Sequence, residues 1–413
     1  MVRGALPWLV MAPALVFAQP PHDAEGAQSA SAPPSRVPSS SVPPPSSGPS
    51  RADDGPRTHL GPVVLRGVFG SLRLALATQL RGTVDHAASG TDGVFELRRL
   101  RMWVRARLLD DRVAFRLQLD ASPRSPELID LWLQGEARPG LALRVGQMKV
   151  PFSHHWDRSF TGTVFVDWPL TTRYFFGRSI GLLALDPRRD QPWTWDLGIF
   201  TGEASRAANG FREPTIYGEP RFNRSSFRSY VAPGTPHPEV AGRLRWHDGP
   251  LTVAASAAWD MRPTYTQDQL ARFGLDGELR LSRFGFYAGG FLSLFEDGDG
   301  NPMLGLGGSH LEAQARLHER IELGLRYVTI VRSDALRKDA KIYAMQHVAD
   351  VPEDADRYRS VGELHAEHEL ALALAVYAVG HDLKWQNDVT WRRQSADVDR
   401  DSLQIRTQIQ LAF

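Results

Sequence analysis

The chain has 413 residues, with 48 Lys and Arg against 47 Asp and Glu, a formal net charge of +1, and no cysteine. Near-neutrality excludes the single-sign excess of a nucleic-acid binder, and the lack of cysteine excludes a disulfide framework, thiolate metal sites and a Cys nucleophile. Beyond the N-terminus no run approaches the ~20 consecutive apolar residues of a spanning helix, which excludes a helical membrane protein.

The first segment, MVRGALPWLVMAPALVFAQP, sets Arg3 before a short apolar run and Val16-Phe17-Ala18 before a polar chain. That is the pattern of a signal peptide over residues 1–18. Pro7 and Pro13 interrupt the run, which is too short to serve as a spanning anchor. Residues 19–62 read as a Pro/Ser-rich disordered tether, since the stretch holds 11 of the 29 prolines and lacks the apolar side chains that offset ordering entropy. The rest, 63–413, reads as one domain.

From residue 63 onward, segments of about ten residues alternate apolar and polar side chains, the period of a strand. Strands are expected at 63–82, 95–109, 112–121, 128–137, 141–150, 178–186, 193–201, 241–247, 251–260, 273–282, 284–294, 311–318, 321–331, 364–379, 381–393 and 402–413. A soluble sandwich alternates in the same way, so connection lengths carry the decision. Tight turns such as Asp110-Asp111, Arg138-Pro139-Gly140 and Gly380-His381 alternate with longer loops such as 151–177, 202–240, 295–310 and 332–363. About sixteen strands in this order put both termini on the short-turn side, the arrangement of an antiparallel transmembrane β-barrel of the outer membrane. The last strand ends on Phe413, and a terminal aromatic looks like the signal read by the barrel assembly machinery.

Three stretches carry a family resemblance. Phe95-Glu96-Leu97-Arg98-Arg99-Leu100-Arg101 is followed by Leu117-Gln118-Leu119-Asp120. Leu143-Arg144-Val145-Gly146-Gln147-Met148-Lys149-Val150-Pro151-Phe152-Ser153 comes next, and Gly380-His381-Asp382-Leu383-Lys384-Trp385-Gln386 lies near the C-terminus. In order and spacing the chain resembles the phosphate-selective porin O and P family from about residue 65 to the end. The resemblance implies a sixteen-stranded outer-membrane porin, often a homotrimer, whose long third loop folds into the lumen and whose basic residues select anions. This chain departs from it with only four lysines, none in 151–177, and with the Pro/Ser tether in place of a coiled-coil-like N-terminal segment.

Two groups of residues are the candidate site. Arg99, Arg101, Arg105 and Arg107 share one strand face, and with Arg112 and Arg116 on the hairpin partner they would line an anion path on the barrel wall. Asp120, Asp130, Glu278 and Glu312 would temper that charge into a transverse field. The segment 151–177 is too aromatic for a solvated loop. Folded inward as a constriction, it would present His154, His155, Arg158 and Arg173 to the water, where charge acts in a reduced dielectric. Alternatively its arginines pair with Asp157 and Asp167 and hold the loop's shape.

Other motif matches fail on context. Gly177-Arg178-Ser179-Ile180-Gly181 fits a nucleophile elbow, but an aromatic loop precedes it and a strand follows. His365-Ala366-Glu367 lacks the cysteines of a zinc deaminase, and Asp297-Gly298-Asp299 leads to Pro302 and Gly308 where a calcium loop needs Gly and Glu. The sequence therefore points to a porin without enzymatic activity, cofactor or metal. It would pass small hydrophilic solutes, phosphate or other oxyanions among them, with outer-membrane lipid, lipopolysaccharide and small anions as its partners. A plugged structural barrel and, less strongly, a barrel enzyme are the alternatives.

Overall fold

The computed structural model describes residues 62–88, 90–121, 127–188, 191–201, 238–260, 269–296, 302–338, 364–396 and 400–413. The signal-peptide and tether expectations, and most of the loops at 202–240 and 332–363, lie outside these residues. The elements are β1 (Val63–Gly67), β2 (Gly70–Ala87), β3 (Gly90–Leu108), β4 (Val113–Asp120), β5 (Glu127–Arg138), β6 (Leu141–Lys149), α1 (Thr171–Phe175), β7 (Arg178–Leu185), β8 (Trp193–Phe200) and β9 (Glu239–Asp248). They continue with β10 (Leu251–Asp260), β11 (Gln269–Arg280), β12 (Phe284–Glu296), β13 (Pro302–His318), β14 (Ile321–Arg332), β15 (Leu364–Val379), β16 (Leu383–Ala396) and β17 (Arg400–Ala412).

From β2 to β17 each strand pairs antiparallel with the one before it, and β17 pairs back onto β2, from Ser402 opposite Ala87 to Ala412 opposite Ala77. This is a closed barrel of sixteen strands. β1 takes over the β2 ladder where β17 stops, with Val63 opposite Leu74.

Burial runs opposite to that of a soluble sandwich. On β16 the inward Lys384, Gln386, Asp388 and Thr390 are buried, while Trp385, Val389 and Trp391 are exposed. On β8, Thr194 and Asp196 are buried, and Trp195, Leu197 and Ile199 face out. An apolar belt outside and a polar interior is the sorting that lipid demands, and closure leaves no ladder edge unpaired in hydrocarbon.

The structure corrects three expected boundaries. The first strand breaks at Val68-Phe69, a turn flanked by Gly67 and by Gly70 at φ +144°. The connection expected at 83–94 is strand almost throughout, because β2 runs to Ala87 and β3 starts at Gly90. Beyond the bilayer both strand faces are wetted, so the alternation fades while the ladder continues. Likewise β13 begins at Pro302, its glycines hiding the period in 303–310.

Candidate functional site

The connection between β6 and β7 is the third on its end of the barrel, and its entry is over-determined. Ser153 has φ +69°, a conformation that costs a non-glycine residue about 1 kcal/mol or more unless its surroundings hold it. Here they do. Asp276 Oδ2 on β11 accepts from Ser153 Oγ at 3.0 Å, His154 N at 2.8 Å and His155 N at 3.0 Å. Ser153 N donates to Ser256 Oγ at 3.0 Å, and Arg243 Nη1 donates to Ser153 O at 2.6 Å.

The segment then meets inward side chains of strand after strand. Arg326 on β14 donates to Asp167 O at 2.9 Å, Val166 N to Asp388 on β16 at 3.0 Å, and Gln410 on β17 to Thr161 O at 3.2 Å. Arg272 on β11 donates to Phe175 O at 2.6 Å, and Tyr174 donates to Glu367 on β15. A segment that touches so much of the inner circumference lies inside the barrel. Its apolar residues supply the core: Phe152, Phe175 and Phe176 pack around Phe291, Trp156 lies against Phe176, and Phe165 clusters with Ala371 and Ala373. Close approach is permitted by glycines on the wall. A Cβ on Gly308 would fall 2.5 Å from the Phe175 ring, and one on Gly324 would fall 2.8 Å from Phe165.

The loop acids pair with arginines of the wall. Asp167 accepts Arg81 at 3.3 Å, Arg99 at 3.3 Å and Arg98 at 3.5 Å. Burial works to raise the Asp167 pKa, but the guanidinium groups of Arg98, Arg99 and Arg81 outweigh it and hold the carboxyl well below its ordinary range. Asp157 takes Arg243 at 2.7 Å and Arg245 at 3.2 Å.

The four loop residues expected at the water occupy different settings. His154 Nε2 lies 3.1 Å from Glu278. His155 is buried between Trp168, Tyr287 and His310. Burial, with the nearby His310, Arg158 and Arg326, lowers its pKa well below that of a free histidine, so it is an uncharged imidazole at neutral pH. Arg158 stacks over Tyr287 at 4.1 Å, with Glu312 at 3.9 Å. Arg173 sits in α1, and its side chain is outside the described residues.

The arginines of β3 divide by depth. Arg99 binds Gln79 at 2.8 Å and Asp167, and Arg101 binds Asp120 at 2.8 Å while lying 4.5 Å from the Phe160 ring. Arg105 is exposed, opposite Arg73 on one side and Arg116 on the other. Arg107 reaches Asp111 at the rim, and Arg112 is exposed in the β3–β4 turn rather than on a strand. Arg116 and Arg178 share Asp130, at 3.3 Å and 2.9 Å. The sequence reading missed Arg81, Arg98 and Arg178. A bulge between β2 and β3, where Gln79 pairs Arg99 and Leu80 pairs Leu97, leaves Arg98 as the extra residue and shifts the parity beyond it.

The inward arginines differ in exposure. On the β11–β17 side the inward Arg272, Arg326 and Arg406 are only 1–2% exposed beneath the loop. On the β3–β7 side the side chains of Arg116 and Arg178 keep 26% and 20% of their surface. On that side stand Arg101, Arg105, Arg116, Arg144 and Arg178, with the carboxylates of Asp120 and Asp130 set between them.

No protein-family model and no curated protein matches the chain. Solved structures do. An anion-selective porin from Comamonas acidovorans superposes with a TM-score of 0.57 at 12% identity, over 83% of this chain and 100% of that one. The fold is that of a bacterial outer-membrane porin. OprB of Pseudomonas putida has a TM-score of 0.55 at 10% identity, over 84% of this chain and 94% of that one. The outer-membrane channel DcaP of Acinetobacter baumannii has 0.53 at 10%, over 83% and 97%. A closed barrel with a lipid-facing belt and a folded-in third loop belongs to the outer membrane.

Proposed function

We propose that this chain is an outer-membrane pore through which small hydrophilic solutes diffuse, with anions favoured over cations and no covalent chemistry. The observation that carries this reading is the run of guanidinium groups beside the solvent-exposed side of the lumen, where Arg105 faces Arg73 and Arg116 in register. Like charges directly opposite one another are unfavourable in a ladder, and a passing anion relieves them. Phosphate and other oxyanions suit such forked donors, but inorganic phosphate is expected to block chloride current only weakly, since the third loop has no lysine. In the same reading residues 1–18 direct export, 19–62 tether the barrel, and a homotrimer in lipid and lipopolysaccharide is the assembled form.

Single-channel recording of the purified protein across a potassium chloride gradient tests it. A reversal potential on the anion side is expected, and Arg105→Ser with Arg116→Ser should move it toward cations. Each guanidinium near the path contributes about 1 kcal/mol at an intermediate dielectric, or about fivefold in anion occupancy. At 1 M salt, with a Debye length of about 3 Å, the shift should shrink. A wild-type barrel without conductance steps would leave the plugged structural barrel. A double mutant with unchanged selectivity at low salt would leave a non-selective pore.

A further inference from the structure

Among the described residues two lysines point into the lumen, Lys149 on β6 and Lys384 on β16, and both do the same thing. The third loop makes two single-turn 3-10 helices, His155–Asp157 and Phe160–Gly162. Lys149 Nζ donates to Trp156 O at 2.5 Å and Arg158 O at 3.3 Å, at the C-terminal end of the first turn. Lys384 Nζ donates to Thr161 O at 2.7 Å and Thr163 O at 2.6 Å, at the C-terminal end of the second. Each ammonium thus bridges two carbonyls two residues apart, where a helical turn leaves its acceptors unsatisfied and its dipole favours a cation. Each also lies near an aromatic face, Trp156 at 4.7 Å and Tyr377 at 6.0 Å. Beside Lys384, Gln386 Nε2 continues the series onto Thr163 O, Val164 O and Phe165 O at 2.9–3.0 Å. Lys384 is enclosed by these contacts at 1% exposed, and Lys149 is partly buried by its own.

We propose that Lys149, Lys384 and Gln386 are positioning residues that set the constriction by holding the backbone carbonyls of the third loop, and that neither lysine is a site for a passing anion. This rests on the channel reading only for its consequence on the pore. The docking itself is a property of the barrel. It also gives two of the three stretches singled out in the sequence, 143–153 and 380–386, a common physical task at successive turns of one loop.

The absence of cysteine allows a direct test, since Val164→Cys would supply the sole thiol, at a site in the docked loop itself that is 1% exposed. In the folded, heat-modifiable protein this thiol should react slowly with a water-soluble maleimide. Adding Lys384→Met and Gln386→Leu should speed labelling about tenfold or more, the effect of losing one charge-assisted hydrogen bond. Lys384→Arg, which keeps the donors, should restore slow labelling. Equal rates in all these proteins overturn the proposal. If Lys384→Met fails to assemble, Gln386→Leu alone decides in the same way. Recordings on Lys384→Met should show a noisier open level with an unchanged anion-to-cation permeability ratio, and a fall in that ratio at unchanged noise overturns the second half of the claim. A wild-type barrel that labels as expected but does not conduct removes the channel reading and leaves the latch.

Discussion

Asp167 shows how one residue shapes the charge of this lumen. Three guanidinium groups converge on its carboxylate, and two of them, Arg81 and Arg99, are almost fully enclosed. Removing the partner of a buried charge costs more than the pair itself contributes, so Asp167→Asn is expected to weaken the loop's docking by about 3 kcal/mol, the low end for broken buried pairs. The folded gel band should convert at a lower temperature, and the permeability ratio should move further toward anions because one negative charge is gone. A variant matching wild type in both measurements contradicts this account. The pH dependence comes from His155 before Asp167. Both have depressed pKa values in the folded loop. For each group the undocked state binds the proton more readily, so docking is complete above the ordinary pKa and weakens as pH falls below it. For His155, set against Glu312 at 3.8 Å and against His310, His154, Arg158, Arg326, Trp168 and Tyr287, that window opens below about pH 6.5; for Asp167 it opens only below about 3.9. Because maleimide attacks the thiolate, whose fraction falls with pH, labelling of the Val164→Cys thiol is taken relative to an exposed control thiol at Arg112→Cys; that ratio should rise from pH 6.5 to pH 5, and His155→Phe should flatten the rise. A rise that begins only near pH 4 would assign the effect to Asp167 instead.

At the scale of an element, the third loop is held from outside itself. Its entry, its turns and its exit helix are fixed by Asp276, by side chains of β14, β16 and β17, and by the glycines that admit its rings. Gly324→Val would drive a side chain into Phe165, and overpacking of this kind costs about 1–3 kcal/mol. Gly290→Ala, where nothing lies within 4 Å, is the matched control. The first should speed labelling of the Val164→Cys thiol in the loop and alter conductance, and the second should do neither; equal behaviour would mean that the ring-in-notch contacts do not fix the loop. This outside control explains what the sequence could convey. The strands were legible because period two is local and lipid imposes it on every crossing, as on β8 and β16. The inward fold of the loop was legible from its aromatic content. The partners of its charges were not, because Arg81 and Asp167 are 86 residues apart and meet only after the sheet has closed. Arg98 was hidden by a bulge that no side-chain pattern announces, and the lysine staples were hidden because their partners are carbonyls, which every residue carries.

At the scale of the whole molecule, closure joins the two ends of the domain, and the last residue takes part in it. Phe413 N donates to Leu76 O at 2.9 Å, and Leu76 N donates to Phe413 O at 2.7 Å, a reciprocal pair at the seam just before β1 takes over the β2 ladder. Deleting Phe413 removes both bonds and the terminal aromatic together. In hydrocarbon an unpaired backbone group costs several kcal/mol, and at the rim, where water competes, each bond contributes about 1 kcal/mol. The loss of seam bonds alone should thus lower the melting temperature of an already folded barrel only modestly. If Phe413 also serves as an assembly signal, deletion should cut the amount reaching the outer membrane far more than it lowers the stability of the protein that does. The two roles separate with Phe413→Ala, which keeps both backbone bonds and removes the ring. A sharp fall in outer-membrane level for both variants, with near-normal heat-modifiability of the assembled fraction, is the expected result. Wild-type levels for Phe413→Ala with a loss confined to the deletion would mean that the seam bonds matter and the aromatic does not.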